Sequence, residues 1–499
     1  METDQPNRLH TRKNAPAYRF RCGLILWGAL LAITPGCCWH ALKPLPHGLD
    51  YRSELLPAEN VRFLSDQTGL DSTGTRRSDQ QIFDEAFAMI NRAERLLVVD
   101  MFLFNAFLGT GPAPYRFLCE ELTAALIERK RAVPGLRVVM ITDPVNTVYG
   151  GWDAPHLKRL ERAGVEVVIT RVDRLRDNNL IWSSVWRILF KPWGNSAESG
   201  WVPSPLGEDA VTLRSWFTLL NFKANHRKVL VADDGGTWTA LVTSANPHDG
   251  SSAHSNVALI FSGPAAYETL KTEQAVAAFS AEKTAMPFAA DDTPGIAPAA
   301  ADPDAARVQV LTEEAIAETA KALIDGTAAG DAIDIVMFYL ADRPIIRALK
   351  AAARRDVSMR VILDPNKDAF GYRKGGMPNR QVARELVATG IPVRWATTHG
   401  EQMHAKMMLV RRVDGTADLL LGSANFTRRN MRNYNLETNA RAAGRTDTSP
   451  LSDASAYVDR LWTNGGDRVF TTDYEMFRDK SCWRTLLYRF QEATGLSTW

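Results

Sequence analysis

Asn225-His226-Arg227-Lys228-Val229-Leu230-Val231-Ala232-Asp233, followed by Leu241-Val242-Thr243-Ser244-Ala245-Asn246, has a second copy later in the chain. That copy reads Met403-His404-Ala405-Lys406-Met407-Met408-Leu409-Val410, followed by Leu420-Leu421-Gly422-Ser423-Ala424-Asn425. In an extended strand residues i and i+2 share a face, so His226 projects with Lys228 and His404 with Lys406. The apolar residues after each lysine continue the strand into a core. Each following run ends in Ser-Ala-Asn, which sets a hydroxyl and an amide beside the His-Lys pair if the two strands are neighbours.

Working outward, the duplication extends well beyond these segments. Glu94–Phe104 has a counterpart in Asp331–Leu340, each preceded by a helical pattern, over Ile82–Ile90 and Ile316–Ile324. Leu136–Pro144 matches Met359–Pro365, and both runs stop at Asp-Pro, where proline cannot donate to a ladder. A further short strand follows in each copy, Val165–Thr170 and Ile391–Trp395, with Gly164 and Gly390 before them. Helical periods alternating with short β-branched runs predict an α/β fold: two similar lobes, each a mixed sheet flanked by helices. Such lobes make a pseudo-twofold, and a shared site lies on its axis. One chain supplies both halves, so a monomer suffices.

The copies differ at an insertion, residues 171–220, which holds Trp182, Trp186, Trp193, Trp201 and Trp216. Ile181, Trp182, Val185, Trp186, Ile188 and Leu189 share a helical face, with Asn178 or Asn179 able to cap the start. That face is read either as packed on the domain or as an interfacial element seated among headgroups. At the N-terminus, Arg8, Arg12, Lys13, Arg19 and Arg21 precede an apolar run from Cys22 to Ile33. This is the layout of a secretory signal or anchor, and it predicts a cell-envelope protein, exported or membrane-anchored. The expected organisation is a signal or anchor over 1–42, a first lobe over 43–283, a linker over 284–306 rich in Ala, Pro and Asp, and a second lobe over 307–499. Three of the five cysteines precede residue 40, leaving Cys119 and Cys482 as the one possible bridge if the body is exported. The net charge of +2 excludes the global basic field of general nucleic-acid binders and disfavours nucleic acid as a partner.

Lysine ammonium and asparagine amide groups are donors for anionic oxygens, and Lys228, Lys406, Asn246 and Asn425 together suit a phosphodiester. Imidazole can attack or donate a proton near neutral pH, so a histidine from each half could serve the two sides of the scissile bond. The paired motifs resemble the phospholipase D superfamily, whose signature is His-x-Lys-x4-Asp followed by Gly-Ser-x-Asn, once per lobe. The resemblance spans about Val61 to Asn439 and implies a covalent phosphohistidine, with the other histidine as general acid and then base. Water then gives hydrolysis and an alcohol gives transphosphatidylation. It implies no metal and no cofactor.

The chain departs from that pattern at several positions. Asp233 is in register as the motif's structural aspartate, but Thr243 replaces the first glycine, and Arg411 stands where the second aspartate belongs. Asn435-Leu436-Glu437 resembles the family's acidic element, so Glu437 is expected to orient His226 of the opposite lobe. The first half offers Asn256 instead, leaving His404 without a carboxylate. A carboxylate stabilises the cation formed as imidazole attacks, which makes His226 the nucleophile and His404 the acid. Ser244 and Ser423 are expected to bind substrate. His248, His254 and His399 are read either as lining the pocket or, preferably, as surface loop residues, and Asp143 and Asp364 either as site residues at the sheet's C-terminal edge or as caps and turns. The expected activity is that of a phosphodiesterase or transphosphatidylase on phospholipids at a membrane surface, similar to cardiolipin synthase. The alternatives are a nuclease or other phosphodiesterase of the superfamily, or an inactive scaffold of this fold.

Overall fold

The two halves of the repeat build two sheets with the same strand order. In the first half the strands are β1 (Glu59–Asp71), β2 (Leu96–Met101), β3 (Arg137–Thr142), β4 (Glu166–Ile169), β5 (Lys228–Asp234), β6 (Thr237–Thr243) and β7 (Asn256–Ser262). In the second they are β8 (Arg307–Thr312), β9 (Ala332–Met337), β10 (Ser358–Leu363), β11 (Val393–Ala396), β12 (Lys406–Arg411), β13 (Thr416–Gly422) and β14 (Thr438–Arg445). The first sheet runs β1-β7-β6-β5-β2-β3-β4 and the second β8-β14-β13-β12-β9-β10-β11, each strand's counterpart seven numbers on. Both are mixed: β2, β3 and β4 are parallel, as are β9, β10 and β11, and the remaining pairings are antiparallel. The register repeats too, with Met101 opposite Lys228 and Met337 opposite Lys406. This computed structural model describes residues 39–499 apart from 110–114, 205, 208, 235, 282–304, 370–371 and 498.

Strand composition follows position. β2 is covered on both faces and reads Leu-Leu-Val-Val-Asp-Met with every residue buried, the near-continuous apolar run that an interior strand requires. Val229 and Val231 of β5 and Val257 and Leu259 of β7 share one core cluster with Met407, Leu409, Leu419 and Leu421 of the second sheet. The outer faces are covered by helices. In α1 (Ile82–Arg92) the buried Ile82, Phe83, Ala86, Met89 and Ile90 form one stripe, and the Asp66 carboxylate accepts from the Gln81 and Ile82 N–H groups at its start.

The lobes also exchange edges. The short strand Leu56–Pro57 joins the second sheet, pairing with β8, while Arg468–Val469 joins the first, pairing with β1. Arg227, fully buried, forms ion pairs with Glu273 at 3.1 Å and with Glu313, at the head of the second lobe, at 2.7 Å.

The insertion contributes α2 (Leu180–Leu189) and α3 (Leu213–Leu219). Asn179 caps α2, accepting from Trp182 N at 3.3 Å. The predicted apolar face is split, which corrects the sequence reading. Trp186 is buried, and Trp182 is ringed by Phe190 and Phe217 with its indole N–H donated to Phe217 O, whereas Ile181, Ile188 and Leu189 are exposed. The turn ahead of the helix sets this rotation: Asp177, buried, draws in Arg187 at 2.6 Å and Lys223 at 2.7 Å. Cys119 is buried and Cys482 exposed, and neither is in a bridge. The run Cys22–Ile33 and nearly all of the linker 284–306 lie outside the described residues. Among the described residues no helix is long and apolar enough to cross a membrane.

Candidate active site

The two histidines stand just ahead of β5 and β12 and meet where the lobes join. Each segment is held twice. Asp143, at the end of β3, accepts from Val145 N and from Asn225 N, both at 2.7 Å; Asp364, at the end of β10, accepts from Asn366 N at 2.7 Å and Met403 N at 2.9 Å. The strand-end aspartates therefore cap their own turns and also anchor the residue before each histidine. The opposite lobe supplies the second hold, with His226 N donating to Leu436 O at 2.9 Å and His404 N to Ser255 O at 2.8 Å.

The side chains cross the interface in the same way. His226 Nδ1 lies 2.9 Å from Glu437 Oε2, and His404 Nδ1 lies 3.1 Å from Asn256 Oδ1. Glu437 is fully buried and bonded also to Ser423 Oγ and Asn430 Nδ2. Ser244 Oγ donates to Asn256 at 3.0 Å. The two motif serines are fully buried and hold the residues that hold the histidines. Lys228 Nζ donates to His226 O at 2.7 Å and Lys406 Nζ to His404 O at 2.5 Å, so each pair does share a side. Phe102 packs its ring 4.7 Å from that of His226, and Phe338 its ring 5.0 Å from that of His404. The lysines lie over the same two rings at 4.9 and 5.1 Å. The sequence reading passed over these phenylalanines, although the repeated Met-Phe at the ends of β2 and β9 carried the signal. It also passed over Asn430, Glu313 and Arg227, the last of which has Ala405 as its counterpart in the other copy.

Burial governs the electrostatics. It pulls His226 down to about 4 against the opposing pull of Glu437, so the imidazole is neutral at pH 7. With Nδ1–H donated to Glu437, the lone pair is on Nε2. Burial would raise Glu437, but His226, Lys228 and the Ser423 hydroxyl outweigh it and keep the carboxylate ionised. His404 is driven well below its ordinary value by burial and then by Lys406, with no carboxylate among the described residues bonded to it. Burial also lowers Lys228 to about 7 and Lys406 well below the usual lysine range. A site of this kind is built for an anion.

Asn246 Oδ1 accepts from Leu103 N at 3.4 Å, and Asn425, with His226 and His404, lines a cavity of about 280 Å³. Asp233 accepts from the N–H groups of Arg95 and Leu96, both at 3.0 Å, and so fastens β5 to the start of β2. In the other lobe Arg411 fastens β12 to β9 through Asp334 at 2.7 Å, the same junction closed by a different pair. Gly422 is needed where it stands, since a Cβ would run into Thr438 O, whereas Thr243 donates to Val257 O at 3.0 Å. His248 and His254 are buried, contrary to the surface-loop reading: His248 Nδ1 is 3.0 Å from Ser251 Oγ, and His254 accepts from Gln402 N at 3.3 Å with its ring 5.8 Å from His404. His399 remains partly exposed.

The family described as cardiolipin synthase, PLD-like domain, matches residues 323–462, the stretch that carries His404, Lys406, Asn425 and Glu437. Among solved structures, phosphatidylserine synthase from Haemophilus influenzae Rd KW20 is similar at 10% identity and a TM-score of 0.55, over 89% of this chain and 95% of that one. Polyphosphate kinase from Porphyromonas gingivalis matches at 12% identity and a TM-score of 0.43, over 88% of this chain and 53% of its own. Nuc, a phospholipase D family member from Salmonella typhimurium, matches at 18% identity and a TM-score of 0.26, over 33% of this chain and 99% of its own. No curated protein sequence matches.

Proposed function

From a chain that carries the phospholipase D fold and matches that superfamily over residues 323–462, we propose an enzyme that hydrolyses or exchanges phospholipid head groups through a phosphohistidine on His226. The observation that carries the reading is the asymmetry across the pseudo-twofold. His226 faces the carboxylate of Glu437, whereas His404 faces the amide of Asn256. Nε2 of His226 attacks phosphorus and the bond to the head-group oxygen breaks. That oxygen takes its proton from His404, which becomes protonated once the bound diester offsets the charge of Lys228 and Lys406. The imidazolium formed on His226 is stabilised by Glu437. In the second step water or an alcohol gives its proton to His404 and attacks phosphorus, and the phosphorus–nitrogen bond breaks to restore His226. Lys228, Lys406, Asn246 and Asn425 donate to the non-bridging oxygens, whose charge rises in each transition state.

A membrane surface is the proposed place of action. Ile181, Ile188 and Leu189 are exposed on α2, as are Trp483, Leu486 and Phe490 on the C-terminal helix Cys482–Thr494, and Trp39 and Leu42 at the start of the described chain. The ends of these three elements meet: Asp177 N donates to His40 O at 3.0 Å, and Asn178 Nδ2 to Gly495 O at 3.1 Å. Leu219, Phe222 and Trp499 line the catalytic cavity nearby. Incubating the purified protein with defined phospholipids, with and without a primary alcohol, tests the reading. Phosphatidic acid or a phosphatidyl alcohol is expected. Cleavage of DNA with no turnover of any phospholipid would overturn it in favour of a nuclease.

A further inference from the structure

We propose that Arg429 forms a second anion subsite in the catalytic cavity, taking a carboxylate or phosphate of the substrate other than the diester under attack. The inference rests on the phospholipid reading above and narrows it to lipids whose head group carries its own negative charge.

Arg429 is 8% exposed and lines the same cavity as His226, His404 and Asn425. One Nη donates to Ser497 O, the guanidinium lies over the Phe222 ring at 5.0 Å, and Nε has no partner among the described residues. No carboxylate among the described residues forms an ion pair with it. Arg227, which is fully buried, has two. A cation taken out of water without a counter-ion is costly, and the cost is offset when a ligand brings the missing charge. Burial lowers its pKa to about 10, which leaves it charged at neutral pH. A second cation stands at the cavity wall, Lys374, with Nζ donating to Tyr339 Oη at 2.6 Å. A planar guanidinium suits a carboxylate or a phosphate.

The subsite exists in one lobe only. Arg429 follows Asn425 by four residues, and the residue four after Asn246 is Gly250, where an added Cβ would run into Phe107 O and Leu108 O. The pseudo-twofold thus supplies the diester with matched donors from both lobes, while the head group meets a guanidinium on one side alone.

The test compares kcat/KM for three lipids, each dilute in neutral detergent micelles so that surface charge stays low. Phosphatidylethanolamine has no second anionic group, phosphatidylserine adds one carboxylate, and phosphatidylglycerophosphate adds one phosphomonoester. The full chain should prefer at least one of the anionic head groups by about tenfold or more, the worth of a charge-assisted hydrogen bond left unmade. Whichever head group is preferred names the oxyanion. In Arg429→Gln the ratio to phosphatidylethanolamine should fall to near one, and in Arg429→Lys it should be partly kept. A ratio near one in the unmodified protein overturns the subsite whether or not the variants fold, and so does a ratio that Arg429→Gln leaves unchanged. Turnover of none of the three lipids would instead overturn the phospholipid reading, and the subsite with it.

Discussion

Lys228 and Lys406 sit in the interior with no carboxylate among the described residues bonded to either, and their depressed pKa values record the cost. An unfolded lysine stays charged up to about pH 10.4, whereas Lys228 in the fold holds its proton only to about 7. The unfolded state therefore binds the proton more tightly. The penalty is full below pH 7 and fades as pH rises through the unfolded value. Lys228→Met should raise the stability of the unliganded protein by about 1–4 kcal/mol at pH 7, with the gain shrinking toward pH 10.5, and should abolish turnover. Chemical denaturation at the two pH values, beside an activity assay, checks this, and a destabilised variant would contradict it. At this scale the candidate site was legible because it is written twice: His, Lys and Asn recur at fixed spacing, and Glu437 follows the second copy at a family-like distance. The serines were misjudged because spacing alone does not say which way a hydroxyl points. Arg227 was passed over because its counterpart is Ala405. Its role comes from Glu273 and Glu313, far away in sequence.

The helix α2 marks where element-scale reading stopped. Its apolar period and its Asn179 cap were visible in the sequence, but a stripe wide enough to include both Trp182 and Ile181 does not reveal which edge turns inward. That was settled by Asp177, whose buried carboxylate needs Arg187 and Lys223 and so rotates the helix about its axis. The exposed edge is therefore Ile181, Ile188 and Leu189. Burying a Leu or Ile side chain contributes about 1.5–3 kcal/mol, so Ile181→Asp with Leu189→Asp should weaken vesicle binding at least about tenfold. Activity on a soluble short-chain diester and the melting temperature should hold. Trp182→Ser with Trp186→Ser should instead destabilise the fold, since both rings pack inward. Sedimentation with vesicles and thermal melts separate the two pairs, and unchanged vesicle binding by the aspartate pair would contradict this assignment.

Across the whole molecule, the duplicated strands and helices anticipated two lobes of like topology. The exchanged edges were not anticipated, because two-residue strands such as Leu56–Pro57 and Arg468–Val469 carry no periodicity. The exchange and the Arg227 cluster join the lobes so that each histidine receives its orienting partner from the other half. Arg227→Met leaves Glu273 and Glu313 buried without their cation and should cost about 3–5 kcal/mol. It should also lower kcat, because Glu313 Oε1 accepts from the N–H of Glu437 at 3.1 Å. A cooperative unfolding transition shifted by less than 1 kcal/mol would contradict that role. The central claim is that His226 is the nucleophile of a site built from both lobes. The measurement that meets it most directly is alkaline rapid quench of the protein during turnover of a phospholipid labelled at phosphorus, followed by proteolysis to locate the label. The account predicts label on His226 in the unmodified chain and none on His404. Label on His404, or turnover with no label on any residue, would contradict it.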